Sequence, residues 1–257
     1  MDLGLAGRTA VVPGASSGLG LAVAREFAAE GANVVLAARR GDLLRENAAQ
    51  LPSALPVELD LTADGAPQQL VAAATEHFGG VDVCVLNGGG PAPRTAQEVT
   101  TDELSAAVHT QLLVHQQLAM AALPGMRERG WGRIVAVGSS FVQQPAPNMV
   151  GSNAGRAALA SYLKTLAAEV AADGVTVNMV LPGRIDTDRV AALDQANAER
   201  NGKTPEQVRS EAIAAIPTGR LGAPAEFASA VAFLASARAS YITGSQVRCD
   251  GGFLRGL

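Results

Sequence analysis

Seven short apolar runs, separated by segments of helical length, limit this chain to very few folds. "TAVVPG" (9–14), "NVVLAA" (33–38), "ALPVELD" (54–60), "VDVCVLN" (81–87), "GRIVAVGSS" (132–140), "VTVNMVLPG" (175–183) and "SQVRCDGG" (245–252) read as strands. Most are rich in β-branched residues and end in Gly, Asn, Asp or Ser, as strands leading into turns do. Their hydrophobicity is nearly continuous rather than alternating, which suits strands buried on both faces. Between them lie segments such as "LGLAVAREFAAEG" (19–31), in which Gly31 is placed to end a helix. Repeated strand–helix–strand units predict an α/β fold, a Rossmann-like doubly wound parallel sheet with helices on both faces. No repeat or linker interrupts the rhythm, so residues 1–257 are expected to form one domain.

Composition narrows the class. With 48% hydrophobic and 17% charged residues the chain is a folded globular protein rather than a disordered one. A net charge of −4 argues against nucleic acid or an anionic membrane as the main partner. Cys84 and Cys249 form no metal or disulfide pattern and fit a reducing compartment. Cys84, inside an apolar run, reads as a small core residue. The stretch "MDLGLAGRTAVV" lacks both a basic n-region and a long apolar core. Nor does any segment approach the roughly 18 uninterrupted apolar residues of a membrane span. A soluble cytoplasmic protein without a metal is expected.

The first strand leads into "PGASSGLGLAVAREFAAEG" (13–31), with Gly14, Gly18 and Gly20 spaced G-x3-G-x-G between strand and helix. Glycines there let the backbone turn tightly and approach a pyrophosphate seated on the helix N-terminus. Dinucleotide folds often end the second strand in an acidic residue that binds the ribose hydroxyls. Here Ala38, Arg39 and Arg40 follow instead. A guanidinium suits a 2′-phosphate in charge and geometry, which favours NADP(H) over NAD(H). Residues 184–217, polar and helical in pattern, are inserted after the sixth strand. Such insertions cover substrates in doubly wound sheets, so a substrate lid is expected there; the alternative is a solvated pair of surface helices.

Further motifs follow in order: "LDLT" (59–62), "LNGGG" (86–90), "LPGRIDT" (181–187) and "ASYITGSQVRCDGG" (239–252). With the glycine loop they make the chain resemble the short-chain dehydrogenase/reductase family along essentially its whole length. It is similar to the bacterial β-ketoacyl-carrier-protein (3-oxoacyl-ACP) reductases within that family. The resemblance implies strand order 3-2-1-4-5-6-7, and a homodimer or homotetramer built on two long central helices and the last strand. It implies that Asp60 touches the adenine, that Asn87 belongs to the loop after strand four, and that Thr187 lies near the nicotinamide amide. The cofactor site it implies comprises Gly14, Ser16, Ser17, Gly18, Leu19, Arg39, Arg40, Asp60, Leu61, Asn87, Gly88, Gly89, Arg156, Pro182, Gly183, Ile185 and Thr187.

The catalytic pattern departs from the family. There a tyrosine exchanges the proton, and a lysine four residues later on the same helix face lowers its pKa and holds the nicotinamide ribose. A serine binds the substrate oxygen, and an asparagine keeps a relay water. The resemblance places Ser152 in the tyrosine position and Arg156 in the lysine position. It places Ser140 (or Ser139) at the serine and Gln111 at the asparagine. Pro13 also replaces the usual threonine of the glycine loop. A serine hydroxyl is far less acidic than a phenol, and arginine does not release its proton. Arg156 can still serve the ribose, grip a carboxylate or phosphate on a substrate, or act only as an anchor.

Other residues are poor substitutes for the missing acid. Tyr162 lies about 15 Å along the helix from Ser152, and Lys164 does not share its face. Tyr241 is expected to begin the last strand, and His109 and His115 to lie off the face that carries Gln111. The segments "PNMVGSNAGRAAL" and "WGRIVAVGSS" resemble a subgroup of reductase-like proteins with a degenerate catalytic tetrad. The expected function is an NADP(H)-dependent oxidoreductase acting on a small ketone, alcohol or acyl-thioester by a non-standard proton path. The alternatives are a dehydratase, isomerase or cyclase on the same scaffold, or a catalytically silent nucleotide-binding protein.

Overall fold

Parallel pairing organises the chain around seven strands: β1 (Thr9–Pro13), β2 (Asn33–Ala38), β3 (Ala54–Glu58), β4 (Val83–Leu86), β5 (Gly132–Val137), β6 (Val175–Pro182) and β7 (Gln246–Cys249). In the computed structural model, which describes residues 1–256, they form one sheet of order β3-β2-β1-β4-β5-β6-β7. Every neighbouring pair is parallel, with Cys84, Ile134 and Val177 side by side across β4, β5 and β6. All residues of β1, β4 and β5 are buried, as continuous apolar runs require. Alternation along each strand sorts side chains between two cores. Ala10 and Val12 join one while Val11 joins the other; Val135 and Val137 oppose Ile134 and Ala136. Pro56 stands in β3, an edge strand, where its missing N–H costs no ladder bond.

The first core lies beneath α1 (Gly18–Ala29), α2 (Gly41–Ala48) and, later in the chain, α9 (Pro224–Ala235). Phe27 of α1 and Phe227 of α9 are fully buried in it, each stabilising by about 1.5–3 kcal/mol. The second core lies beneath α3 (Ala66–Phe78), α5 (Val114–Glu128) and α6 (Val150–Val170). Cys84 belongs there, and burial pushes its thiol up to about 12, consistent with a packing role. Helix α4 (Thr101–Val108) starts with a capping box between Thr100 and Glu103. After β6 come α7 (Asp188–Asn201) and α8 (Pro205–Ala214), within the polar insertion. Among the described residues no helix is long and apolar enough to cross a membrane.

The strand ends are shorter than the apolar runs, because the trailing Gly, Asn and Asp residues turn the chain. Gly31 takes a left-handed φ of 79° just past the end of α1. Between α4 and α5, His109–Leu113 forms a π-helical turn. One expectation is corrected. Tyr241 does not begin the last strand. It sits fully exposed five residues before β7, in the turn that follows Ala237–Ala239.

Candidate active site

The C-terminal ends of the strands open on one cleft of about 1010 Å³. One end of it is shaped by the loop from β1 to α1. Gly14 turns with a φ of 65°, which side-chain-bearing residues rarely adopt. At Gly20 a Cβ would stand 2.4 Å from the Gly14 carbonyl oxygen, so α1 approaches the loop as only glycine permits. Asn87 braces the turn from below, its amide donating to the Pro13 carbonyl at 2.8 Å. Ser17 precedes α1 without capping it through its side chain, so the first N–H groups of the helix have no side-chain partner there.

The two arginines after β2 behave differently. The Arg40 guanidinium donates to the Ser16 hydroxyl at 3.0 and 3.2 Å and to the Ser17 hydroxyl at 2.6 Å. It thus closes a fork and two hydroxyls around the mouth of the glycine loop. Arg39 is mostly exposed and only 4.0 Å from Asp60. The Asp60 carboxyl is held below its ordinary range by the Thr62 backbone N–H, then by the Thr62 hydroxyl, with Arg39 adding less. Leu61, Gly88, Gly89, Pro182, Gly183, Ile185 and Thr187 line the same cleft with Ser16, Ser17, Gly18, Leu19, Arg39, Arg40, Asp60 and Asn87. Every residue expected at the cofactor therefore faces one space. Thr187 also caps α7, accepting from the Val190 N–H.

Another part of the cleft is built on α6. Ser152 and Arg156, four residues apart, both line the cleft. The Arg156 guanidinium donates a short hydrogen bond to the Val137 carbonyl at the end of β5. Burial, then the Arg189 charge, pushes Arg156 down to about 10, so it remains a cation at neutral pH. Of the two serines after β5, Ser139 accepts from the Phe141 N–H, whereas the buried Ser140 has no side-chain partner among the described residues. Both hydroxyls line the cleft with their O–H donors unused, so either can donate to a ligand.

Gln111 is not at the surface of the cleft. It lies at the centre of the π-helical turn, buried, and donates to the Gly89 carbonyl at 2.7 Å. A Cβ at Gly155 would stand 2.6 Å from the Gln111 Cβ, so this glycine sets the approach of α6 to the turn. Gln111 thus braces the loop after β4 from behind. His115 departs from its expectation: it follows Gln111 by four residues, is buried and lines the cleft against Gly88. The spacing alone carries that signal. Tyr162 is partly buried against the second core, and Lys164 donates to the Gly244 carbonyl at 3.0 Å, neither in the cleft.

Burial, with a smaller contribution from Arg156, pushes the His115 imidazole down to about 3. The folded chain therefore refuses a proton that the unfolded chain binds below pH about 6.5. Stability is expected to fall as pH drops through that window, by up to about 1.4 kcal/mol per unit. Denaturant midpoints measured from pH 7 downwards check this; His115→Leu should flatten the profile.

The polar insertion covers one side of the cleft, contributing Leu193 from α7 and Ala212 from α8. Arg184, after β6, forms a short ion pair with the buried Asp194 of α7. Arg209 of α8 bonds Asp186 at 2.9 Å. Arg189 of α7 reaches across to the Pro91 carbonyl at 3.1 Å, tying the insertion to the loop after β4. These arginines escape a reading based on hydrophobic period, because their partners are far away in sequence.

A family model described as enoyl-(acyl carrier protein) reductase matches residues 14–254. The chain is 36% identical over 256 residues to the 3-oxoacyl-[acyl-carrier-protein] reductase FabG of Vibrio cholerae, covering 97% of this chain and 98% of that protein. It is 32% identical over 246 residues to the 3-oxoacyl-[acyl-carrier-protein] reductase MabA of Mycobacterium tuberculosis, covering 95% and 92%. The L-sorbose reductase of Gluconobacter frateurii, solved with NADPH and L-sorbose, superposes with a TM-score of 0.94 at 35% identity, all of both chains matched. YwfH, an NADPH-dependent reductase involved in bacilysin biosynthesis, gives a TM-score of 0.91 at 28% identity, with 97% and 99% covered. Fold, strand order and these near full-length likenesses agree: the chain belongs to the short-chain dehydrogenase/reductase family.

Proposed function

We propose that this chain is an NADP(H)-dependent oxidoreductase acting on a small ketone or 3-oxoacyl-type carbonyl, or on the corresponding alcohol. Its proton path does not use a tyrosine. The observation that carries the reading is the Arg40 fork on Ser16 and Ser17 at the mouth of the glycine loop. Together they offer a cation and two hydroxyls where a 2′-phosphate is to be bound. The backbone cradle at Gly14 and Gly20, which a Cβ would fill, suits a pyrophosphate. Relatives solved with NADPH, or described as using it, support the same cofactor.

When bound, the nicotinamide supplies or accepts the hydride. The chain's own residues then have separable tasks. Arg156 holds the nicotinamide ribose and places a positive charge beside the reacting oxygen. Ser140 donates a hydrogen bond to that oxygen. Ser152 leaves the space a phenol would fill and donates no proton of its own, so the proton comes from water or from the substrate. The α7–α8 pair acts as the lid over the substrate, and the assembly is a homodimer or homotetramer.

A titration tests the cofactor. NADPH is expected to bind more tightly than NADH. Arg40→Ala should weaken NADPH by about 10- to 100-fold, the loss of a charge-assisted contact, while changing NADH little. Nucleotide fluorescence and heat both report it. Equal binding of the two nucleotides by the parent protein would remove the NADP preference from the reading.

A further inference from the structure

We propose that the substrate end of the cleft is an anion site, in which Arg156 and Arg189 together take a carboxylate carried by the carbonyl substrate. This rests on the oxidoreductase reading above and adds the class of substrate. Both side chains line the cleft, Arg156 half-buried and Arg189 exposed. Among the described residues neither lies within ion-pair distance of a carboxylate. Each donates only to a backbone carbonyl, Val137 for Arg156 and Pro91 for Arg189. Their neighbours are matched instead: Arg184 by Asp194 and Arg209 by Asp186. Asp188 lines the cleft too but pairs with neither.

An excess of two cations facing one space is costly without a partner, because desolvation disfavours the charged guanidinium. Arg156 shows this in its lowered pKa, to which Arg189 contributes. A second polar group also lacks a partner: Nδ1 of the buried His115, in the same wall. With one edge on Val137, the Arg156 fork keeps other N–H groups for a planar carboxylate. Ser152, buried where the family has a tyrosine, leaves room for the anion to reach it.

The cofactor's own phosphates are the other source of such an anion, since Arg189 lies two residues past Thr187. The test separates them. NADPH-loaded protein is titrated with malonamate, a non-reducible 3-oxo acid analogue, and with its neutral ethyl ester, following bound-nucleotide fluorescence. Malonamate is expected to bind at least about tenfold more tightly than the ester. In Arg189→Met that preference should shrink to about threefold or less, with NADPH affinity unchanged. Arg189→Lys should retain part of it.

No preference for the acid, including no measurable binding of either compound, overturns the anion site and leaves the oxidoreductase reading standing. Weaker NADPH binding in Arg189→Met with the acid preference intact also overturns it, and assigns the arginine to the cofactor's phosphates. Failure of NADPH to bind the parent protein overturns the oxidoreductase reading and this inference with it. Arg189 is exposed, so the melting temperature of the variants should match the parent's.

Discussion

The double substitution Ser152→Tyr, Arg156→Lys is expected to raise NADPH-dependent reduction of a neutral ketone by about 10²–10⁴-fold, the range a positioned general acid contributes. The two positions already meet the geometric need. They are four residues apart on α6, and both line the cleft beside Ser140. A phenol has a pKa of about 10 and a nearby ammonium moves it towards neutrality, whereas the parent hydroxyl never approaches it. The gain should appear mainly in kcat, with a new ionisation in its pH profile. Ser152→Tyr alone should gain less, because a delocalised guanidinium with one N–H on the Val137 carbonyl is a weaker point charge for the phenol than an ammonium. An unchanged rate in the double variant would mean that more than the acid pair separates this site from an ordinary reductase; Gln111, withdrawn behind the Gly89 carbonyl, is the next position to test.

Gly20→Ala is expected to abolish nucleotide binding at concentrations saturating for the parent. The added Cβ would lie 2.4 Å from the Gly14 oxygen, 2.7 Å from the Gly14 carbon and 2.9 Å from the Asn87 amide nitrogen. Two of these are backbone atoms, which cannot rotate away, so the loop or the start of α1 must shift. Overpacking of this kind costs about 1–3 kcal/mol in stability. The larger effect is functional, since the loop that shifts is the one shaped for the pyrophosphate. Gly256→Ala, outside the cleft, makes the control. A Cβ at Gly256 meets nothing within 4 Å and faces no part of the cleft, so binding should be retained. Titration of both variants with NADPH, alongside their melting temperatures, separates loop distortion from unfolding.

Much of this molecule is legible in its sequence, and the reasons differ by element. The strands announce themselves because a sheet covered on both faces needs continuous apolar runs, and β1, β4 and β5 are buried throughout. Their order does not follow from those runs; it was implied only by the family resemblance. The π-helical turn at His109–Leu113 carries no Gly or Pro to announce it: its five residues read HTQLL. Gln111, at its centre, points to Gly89 rather than into the cleft. Arg39 and Arg40 are equivalent as letters. Only the direction each side chain takes after β2 gives Arg40 the two serine hydroxyls. Arg189 is invisible for a further reason: its significance lies in lacking a carboxylate, which no local pattern encodes.

The central claim is that this cleft still carries out redox chemistry despite its altered acid pair. Incubation with NADPH deuterated at both C4 positions and a panel of small ketones and 3-oxoacyl thioesters, followed by mass spectrometry of the products, tests it most directly. The account predicts one deuterium on the carbinol carbon of at least one product, with equimolar loss of NADPH and a rate below that of an ordinary reductase. Tight NADPH binding with no label transferred to any carbonyl compound would contradict it, and would leave the chain as a nucleotide-binding or non-redox member of its family.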